Sequence, residues 1–272
     1  MLRLNGAPVR GAASFDLGDR GLTLGDGLFE TVAVFGGRPA LLDAHLDRLC
    51  AAAAEIRLPV DRAFCVSEVL ALCEEGKDAV VRLTVTRGAG ARGLAIPEEA
   101  RPAVIAQASP YPKATRGAAV RLATVSTRRN PTSFASRAKT LAYLDSVLAF
   151  DEARRAGADD ALMLNVEGRI ASTAMANLFA VFGDEIATPP VSEGVLPGIM
   201  RGLILAGAGD LGLSVSERPI GREDILSADA VFATNSVRLV MPVTAIDGQV
   251  LRDAPATSWL AQLVALQCGA RA

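Results

Sequence analysis

The stretch SPYPKATRG, residues 109–117, limits what this chain can fold into more than any other segment. Its two prolines fix φ and remove backbone donors, which disfavours both a helix and a central strand. A chain of 272 residues can bury one large core or two smaller ones. The break therefore predicts a domain boundary, with a smaller N-terminal domain over residues 1–110, a linker over 111–118 and a larger C-terminal domain over 119–272.

On the N-terminal side, FETVAVF, the GGRP turn and ALL read as paired strands, because Gly-Gly and Pro punctuate the β pattern. LDAHLDRLCAAAAEI has helical periodicity, and a second helix is predicted from about Asp61 to Glu75. AVVRLTVTRG and AVIAQAS read as strands around the loop GAGARGLAIPEEARP. Beyond the break, AVRLATVST reads as a strand, RRNPTSFASR as a loop and TLAYLDSVLAFDEARRAG as a helix ending at Gly157. ALMLNVEG, ANLFAVFG and DAVFATN then read as strands, GIMRGLILAGAGDLG and TSWLAQLVALQ as helices.

Composition narrows the function classes. The formal net charge is −2 and basic residues are scattered, unlike a nucleic-acid or polybasic membrane binder, so small solutes are the expected partners. The N-terminus lacks a continuous apolar segment and no apolar run is long enough to span a bilayer, which predicts a cytoplasmic protein. Cysteines 50, 65, 73 and 268 form no CxxC pair and His45 is the one histidine, so reduced, mostly buried thiols and no metal site are expected.

Only three residues are lysines, Lys77, Lys113 and Lys139, which narrows any chemistry that needs a primary amine. Lys77 sits in the charged turn EEGKD and Lys113 in the proline-rich break, both solvated positions. Lys139 follows an irregular loop and precedes the predicted apolar helix. Alone, such a lysine reads as a surface charge.

Several segments in order give Lys139 a second reading. DRGLTLGDGLFETVAVFGGRPALLDAHLDRL (19–49), VTRGAGARG, AKTLAYLDSVLAFDEARRAGADDALMLNVEGRI, ANLF and VLPGIMRG together resemble the class-IV aminotransferases and aminodeoxychorismate lyases over nearly the whole chain. The resemblance implies an α/β, two-domain fold of fold type IV, like D-amino-acid aminotransferase, with pyridoxal 5'-phosphate between the domains and a homodimer. Lys139 is then the amine that forms a Schiff base with the cofactor and moves protons as general base and acid. Arg48 matches the phosphate arginine, its planar fork suiting phosphate geometry. The turn Gly198-Ile199-Met200 and Ser236 match the remaining phosphate contacts, through backbone N–H groups at a helix N-terminus in the first case. Leu196 matches the residue packed on the ring.

Ser172 departs from the pattern, since the position five residues before Asn177 usually carries a glutamate that pairs with the pyridine nitrogen. A hydroxyl stabilises the protonated ring much less than a carboxylate. This favours a lyase that makes 4-aminobenzoate, a folate precursor, and pyruvate from 4-amino-4-deoxychorismate. The alternatives are an aminotransferase of branched-chain or D-amino acids and a degenerate, non-catalytic binding protein. D-amino-acid aminotransferases typically carry a histidine where Leu94 stands and a tyrosine where Phe29 stands, which sets this chain apart from them; the resemblance still implies Phe29 and Arg92 as substrate residues. Arg92 reads either as a clamp for a substrate carboxylate, in its own subunit or across a dimer, or as a solvated loop arginine. The expected substrate bears an amino group and a carboxylate. His45 reads as structural, and Tyr143, one turn past Lys139 on the predicted helix, reads as near the cofactor or in the core.

Overall fold

The computed structural model describes residues 1–270. Internal contacts divide them into two units, the first comprising Met1–Tyr111 with Ala138–Ala142, the second Pro112–Arg137 with Tyr143 onward.

The first unit contains β1 (Leu2–Leu4), β2 (Ala7–Val9), α1 (Arg20–Leu24), β3 (Gly27–Phe35), β4 (Arg38–Pro39), α2 (Leu42–Glu55), α3 (Arg62–Leu70), β5 (Ala79–Thr86) and β6 (Ala103–Pro110). Its six strands form an antiparallel sheet in the order β2-β1-β6-β5-β3-β4. α2 buries His45, Leu46, Leu49 and Ala53, one stripe at helical spacing. Burial of Leu46 and Leu49 contributes about 1.5–3 kcal/mol each. The hairpin is shorter than the apolar run ALL predicts, because Leu41 takes a left-handed φ of 51° and starts α2. α3 likewise ends at Leu70, before the predicted Glu75.

The second unit contains β7 (Val120–Arg129), α4 (Phe134–Arg137), α5 (Leu144–Arg155), β8 (Asp160–Asn165), β9 (Ile170–Thr173), β10 (Asn177–Phe182), β11 (Glu185–Thr188), α6 (Ile199–Gly207), β12 (Ser214–Glu217), α7 (Arg222–Ser227), β13 (Ala230–Asn235), β14 (Leu239–Ile246), β15 (Gln249–Val250) and α8 (Pro255–Gln267). Eight strands run in the order β12-β11-β10-β13-β14-β7-β8-β9, with β15 paired to β14, in a mixed parallel and antiparallel sheet. Phe179 and Phe232, cross-strand partners in β10 and β13, stack with centroids 4.9 Å apart.

Three details around Lys139 differ from the sequence reading. The predicted loop over residues 128–137 is partly ordered, with β7 running to Arg129 and α4 following. The predicted helix from Thr140 begins only at Leu144, with Tyr143 as its N-cap. The reason is backbone pairing: Phe29 N–H donates to the Lys139 carbonyl at 2.9 Å and Leu141 N–H to the Gly27 carbonyl at 3.0 Å. The first bond takes the Lys139 carbonyl that would accept the first helical hydrogen bond, and the second, with the Leu28–Thr140 bridge, holds the segment extended along β3. Lys139 therefore sits on an extended segment, and Tyr143 is not one helical turn beyond it.

Candidate functional site

The site residues fall into two sets, one in each unit. In the first unit, the extended segment that carries Lys139 lies along the start of β3. Lys139 Nζ is 4.3 Å from the centroid of the buried Phe29 ring, and the Arg82 guanidinium carbon is 3.6 Å from the same centroid. Both distances are within reach of a cation–π attraction. The glycine before this segment of β3 is required sterically: a Cβ on Gly27 would lie 2.6 Å from the Val85 carbonyl and 2.8 Å from the Leu141 side chain.

Arg48, on α2, forms a two-point ion pair with Glu30 of β3, Nε to Oε1 at 2.8 Å and Nη2 to Oε2 at 2.6 Å. His45 Nδ1 lies 2.7 Å from the same carboxylate. Burial opposes ionisation of Glu30, but Arg48 and His45 outweigh it and hold the carboxyl down to about 2. His45 Nε2 is buried without a hydrogen-bond partner. Glu30 is not among the residues singled out from the sequence; a lone acid inside an apolar strand, facing an i, i+3 His-Arg pair, is the signal that marks it. His45, read from the sequence as structural, is buried against the Glu30 carboxylate that also pairs with Arg48.

The Gly25-Asp26-Gly27 turn also has a definite job. Gly25 caps α1 at φ 67°, and Asp26 accepts from Arg20 Nε at 2.9 Å and Arg87 Nε at 2.8 Å. Burial works against the Asp26 charge, yet the two arginines keep its carboxyl below the usual range. Arg87 is almost fully buried and also donates to the carbonyls of Arg57 and Ile56. Arg92 is exposed on the loop that follows.

In the second unit, Ser172 on β9 is buried, and its hydroxyl donates to the Thr173 carbonyl at 2.9 Å. Leu196 and Ile199 are half-buried around Gly198, the N-cap of α6, which has no side-chain cap. The Leu196 carbonyl accepts from Asn177 Nδ2 at 2.8 Å, so the turn is tied to β10. A Cβ on Gly198 would fall 1.9 Å from Asn177 Oδ1, which makes this a glycine position by contact. Met200 is buried with Sδ 3.6 Å from Cys268 Sγ, so its side chain belongs to the core and only its amide faces the helix end. Ser236 is half-buried, two residues after Thr234, whose buried hydroxyl has no partner.

These features fit a phosphate-bearing cofactor. The first-turn amides of α6 have no side-chain acceptor, the turn has no room for a Cβ, and Thr234 holds an orphaned hydroxyl nearby in sequence to Ser236. Such donors suit a dianion without any added cation.

Comparison with known proteins agrees with this chemistry. A family model described as amino-transferase class IV matches residues 27–246. A putative branched-chain-amino-acid aminotransferase of Methanocaldococcus jannaschii is 35% identical over 240 residues, covering 86% of this chain and 83% of that protein. Among solved structures, the 4-amino-4-deoxychorismate lyase from Pseudomonas aeruginosa is 34% identical with a TM-score of 0.86, covering 97% of this chain and 98% of that one. The branched-chain aminotransferase from Thermoproteus uzoniensis, solved with norvaline, is 29% identical with a TM-score of 0.89, covering 99% and 95%. The architecture is that of fold-type-IV enzymes.

Proposed function

The chain belongs to the class IV aminotransferase family and is a pyridoxal-phosphate-dependent enzyme, and from that premise we propose that it is a lyase converting 4-amino-4-deoxychorismate to 4-aminobenzoate and pyruvate. The observation that carries the choice is Ser172. Its single proton is given to the Thr173 carbonyl, so the hydroxyl keeps lone pairs to accept with but carries no charge. Amino transfer asks the site to stabilise a carbanion strongly; loss of pyruvate with aromatisation of the ring supplies much of its own driving force. The likeness to the P. aeruginosa lyase supports the same reading.

Pyridoxal phosphate, when bound, supplies an aldehyde for the substrate amine and a ring that draws electrons from the carbon beside it. Lys139 Nζ is the atom that would bond the cofactor covalently and, once displaced, would take the proton from the substrate ring carbon and deliver it to the methylene carbon of the departing three-carbon unit, which leaves as pyruvate. Arg48, fixed in orientation by Glu30, would hold the phosphate, as would the amides of Ile199 and Met200 and the Ser236 hydroxyl. Leu196 would pack on the cofactor ring, Ser172 would accept from its nitrogen, and Phe29 and Arg92 would contact the substrate, the Arg92 guanidinium at the substrate carboxylate. The reading includes a cytoplasmic homodimer, checked by sedimentation.

A second reading, an aminotransferase of branched-chain or D-amino acids, is favoured by the likeness to the M. jannaschii and T. uzoniensis proteins. One experiment separates the two. Purified holoenzyme is incubated with 4-amino-4-deoxychorismate, and separately with leucine or D-alanine plus 2-oxoglutarate. Pyruvate and 4-aminobenzoate above a Lys139→Ala control support the lyase. Their absence, with glutamate formed instead, replaces it with the aminotransferase.

A further inference from the structure

The loop between β5 and β6, which carries Arg92, has no strand or helix of its own, yet it is fastened to α1 and its flanks at several points. At its base, Gly88 has φ 81° and a Cβ there would lie 1.9 Å from the Arg101 carbonyl, so the two ends of the loop meet. Arg20 N–H donates to the Gly88 carbonyl at 2.9 Å, and Asp19 bridges Ala89. Nearer the tip one side chain does the work. Arg20 Nε is fixed on Asp26 at 2.9 Å, its Nη1 donates to the Gly93 carbonyl at 3.0 Å, and its Nη2 reaches toward the Leu94 carbonyl at 3.4 Å.

Arg20 is 5% exposed, so a charge sits almost out of water, balanced by Asp26 and committed to the two residues that follow Arg92. Asp26 is itself locked from the other side by Arg87 at 2.8 Å, and Arg87 is anchored on the carbonyls that end α2. The three short motifs Asp19-Arg20-Gly21, Gly25-Asp26-Gly27 and Thr86-Arg87-Gly88 thus converge on one carboxylate. Arg20, Thr23, Leu24, Arg92 and Leu94 line a pocket of about 380 Å³, with the exposed Leu94 at its rim.

We propose that Arg20 is a positioning residue for substrate recognition: its guanidinium, set by Asp26, pins the Gly93-Leu94 backbone and so fixes the turn that presents Arg92. Arg20 touches no substrate. A two-point grip on main-chain carbonyls restrains a loop whose composition, rich in Gly and Ala, would otherwise leave Arg92 free to sample many positions. The inference rests on the reading that Arg92 binds the substrate carboxylate.

Trypsin reads the brace without any ligand. The Arg101-Pro102 bond resists trypsin and Arg87 is buried, so Arg92-Gly93 is the cleavable bond of the loop, and its nicking yields residues 1–92 and 93–272. In the holoenzyme, Arg20→Met should speed this nick at least about tenfold while cleavage in the second unit changes less than about twofold. Arg20→Lys keeps the charge beside Asp26 but lacks the fork, so it should fall between the two and serves if the methionine variant does not fold. With 4-amino-4-deoxychorismate, or leucine if that is what the enzyme turns over, Arg20→Met should raise KM about tenfold with kcat within about threefold. In an Arg92→Ala background the same change should raise KM less than about twofold. An unchanged nicking rate in both Arg20 variants, or KM effects that multiply in the double variant, overturns the proposal. Should Arg92→Ala alone leave KM unchanged while Arg20→Met still accelerates nicking, the assignment of Arg92 is what fails.

Discussion

In the first unit Arg20, Arg48 and Arg87 are each held by a carboxylate, Asp26 or Glu30, which is itself largely buried. In the second unit the turn at Gly198 offers main-chain amides at an uncapped helix end and packs so tightly that Asn177 leaves no space for a Cβ. Arg48 in the first unit and the Gly198 turn in the second each suit an anion, but they get there differently. A side-chain cation must be oriented by a partner and taken out of water at a cost, and the partner repays it only if the geometry is maintained. A backbone cradle carries no net charge and depends instead on how closely two segments approach. The first should fail by losing charge balance, the second by gaining a methyl group.

That contrast can be broken or sharpened in several ways. The largest effect is expected for Lys139→Ala, which tests whether the amine beside Phe29 is the one that bonds the cofactor. Activity should fall at least about 10³-fold, and the visible absorption that accompanies covalently held cofactor should vanish after gel filtration.

Next comes Glu30→Gln, which leaves Arg48 without its counter-charge and should cost about 3–5 kcal/mol in urea unfolding at neutral pH. The pH dependence has a definite sign. Because the Glu30 carboxyl is held down from 4.5 to about 2, its contribution is fully present above pH 4.5 and is lost as pH falls toward 2. The shift corresponds to about 3 kcal/mol. The stability-versus-pH curve of Glu30→Gln should lack that acid slope, and an unchanged slope would remove Glu30 as its source.

Gly198→Ala comes third. The added methyl meets Asn177 Oδ1, so cofactor affinity in equilibrium titration should weaken by about 10–100-fold. In an Asn177→Ala background the loss should shrink to less than about threefold. Equal losses in both backgrounds would mean that the close approach to Asn177 is not what makes this a glycine site.

The smallest effects are expected at Ser172. Ser172→Ala should lower lyase turnover less than about tenfold, while Ser172→Glu should raise amino transfer from leucine or D-alanine to 2-oxoglutarate by about tenfold. A large loss of lyase activity in Ser172→Ala would show that the hydroxyl contributes more than an accepting lone pair.

Much of this was legible in the residues. Scarce lysine and the ordered motifs around it single out Lys139, and the Gly-Asp-Gly, Thr-Arg-Gly and Leu-Pro-Gly segments mark turns that the structure contains. Less legible was what those turns do. The periodicity around Lys139 predicts a helix from Thr140, yet Gly27 and Phe29, more than a hundred positions earlier, take the backbone bonds of Lys139 and Leu141. Glu30 was hidden for a related reason: nothing near it in sequence says that the carboxylate is covered by His45 and Arg48 of α2. At Met200 the sequence reading concerned the backbone amide alone, and the structure adds that its side chain packs against Cys268.

By itself the sequence determined most element types and the order of the motifs and left Lys139 as the candidate amine for a carbonyl cofactor, because these depend on local periodicity, turn chemistry and the identity of single residues. Only the tertiary structure decided that Asp26 is shared by Arg20 and Arg87, that Glu30 orients Arg48, and that Gly198 is glycine because Asn177 stands against it. Charge pairing and close packing act through space at distances of a few ångströms, and the partners in question lie from six to sixty-one positions apart along the chain.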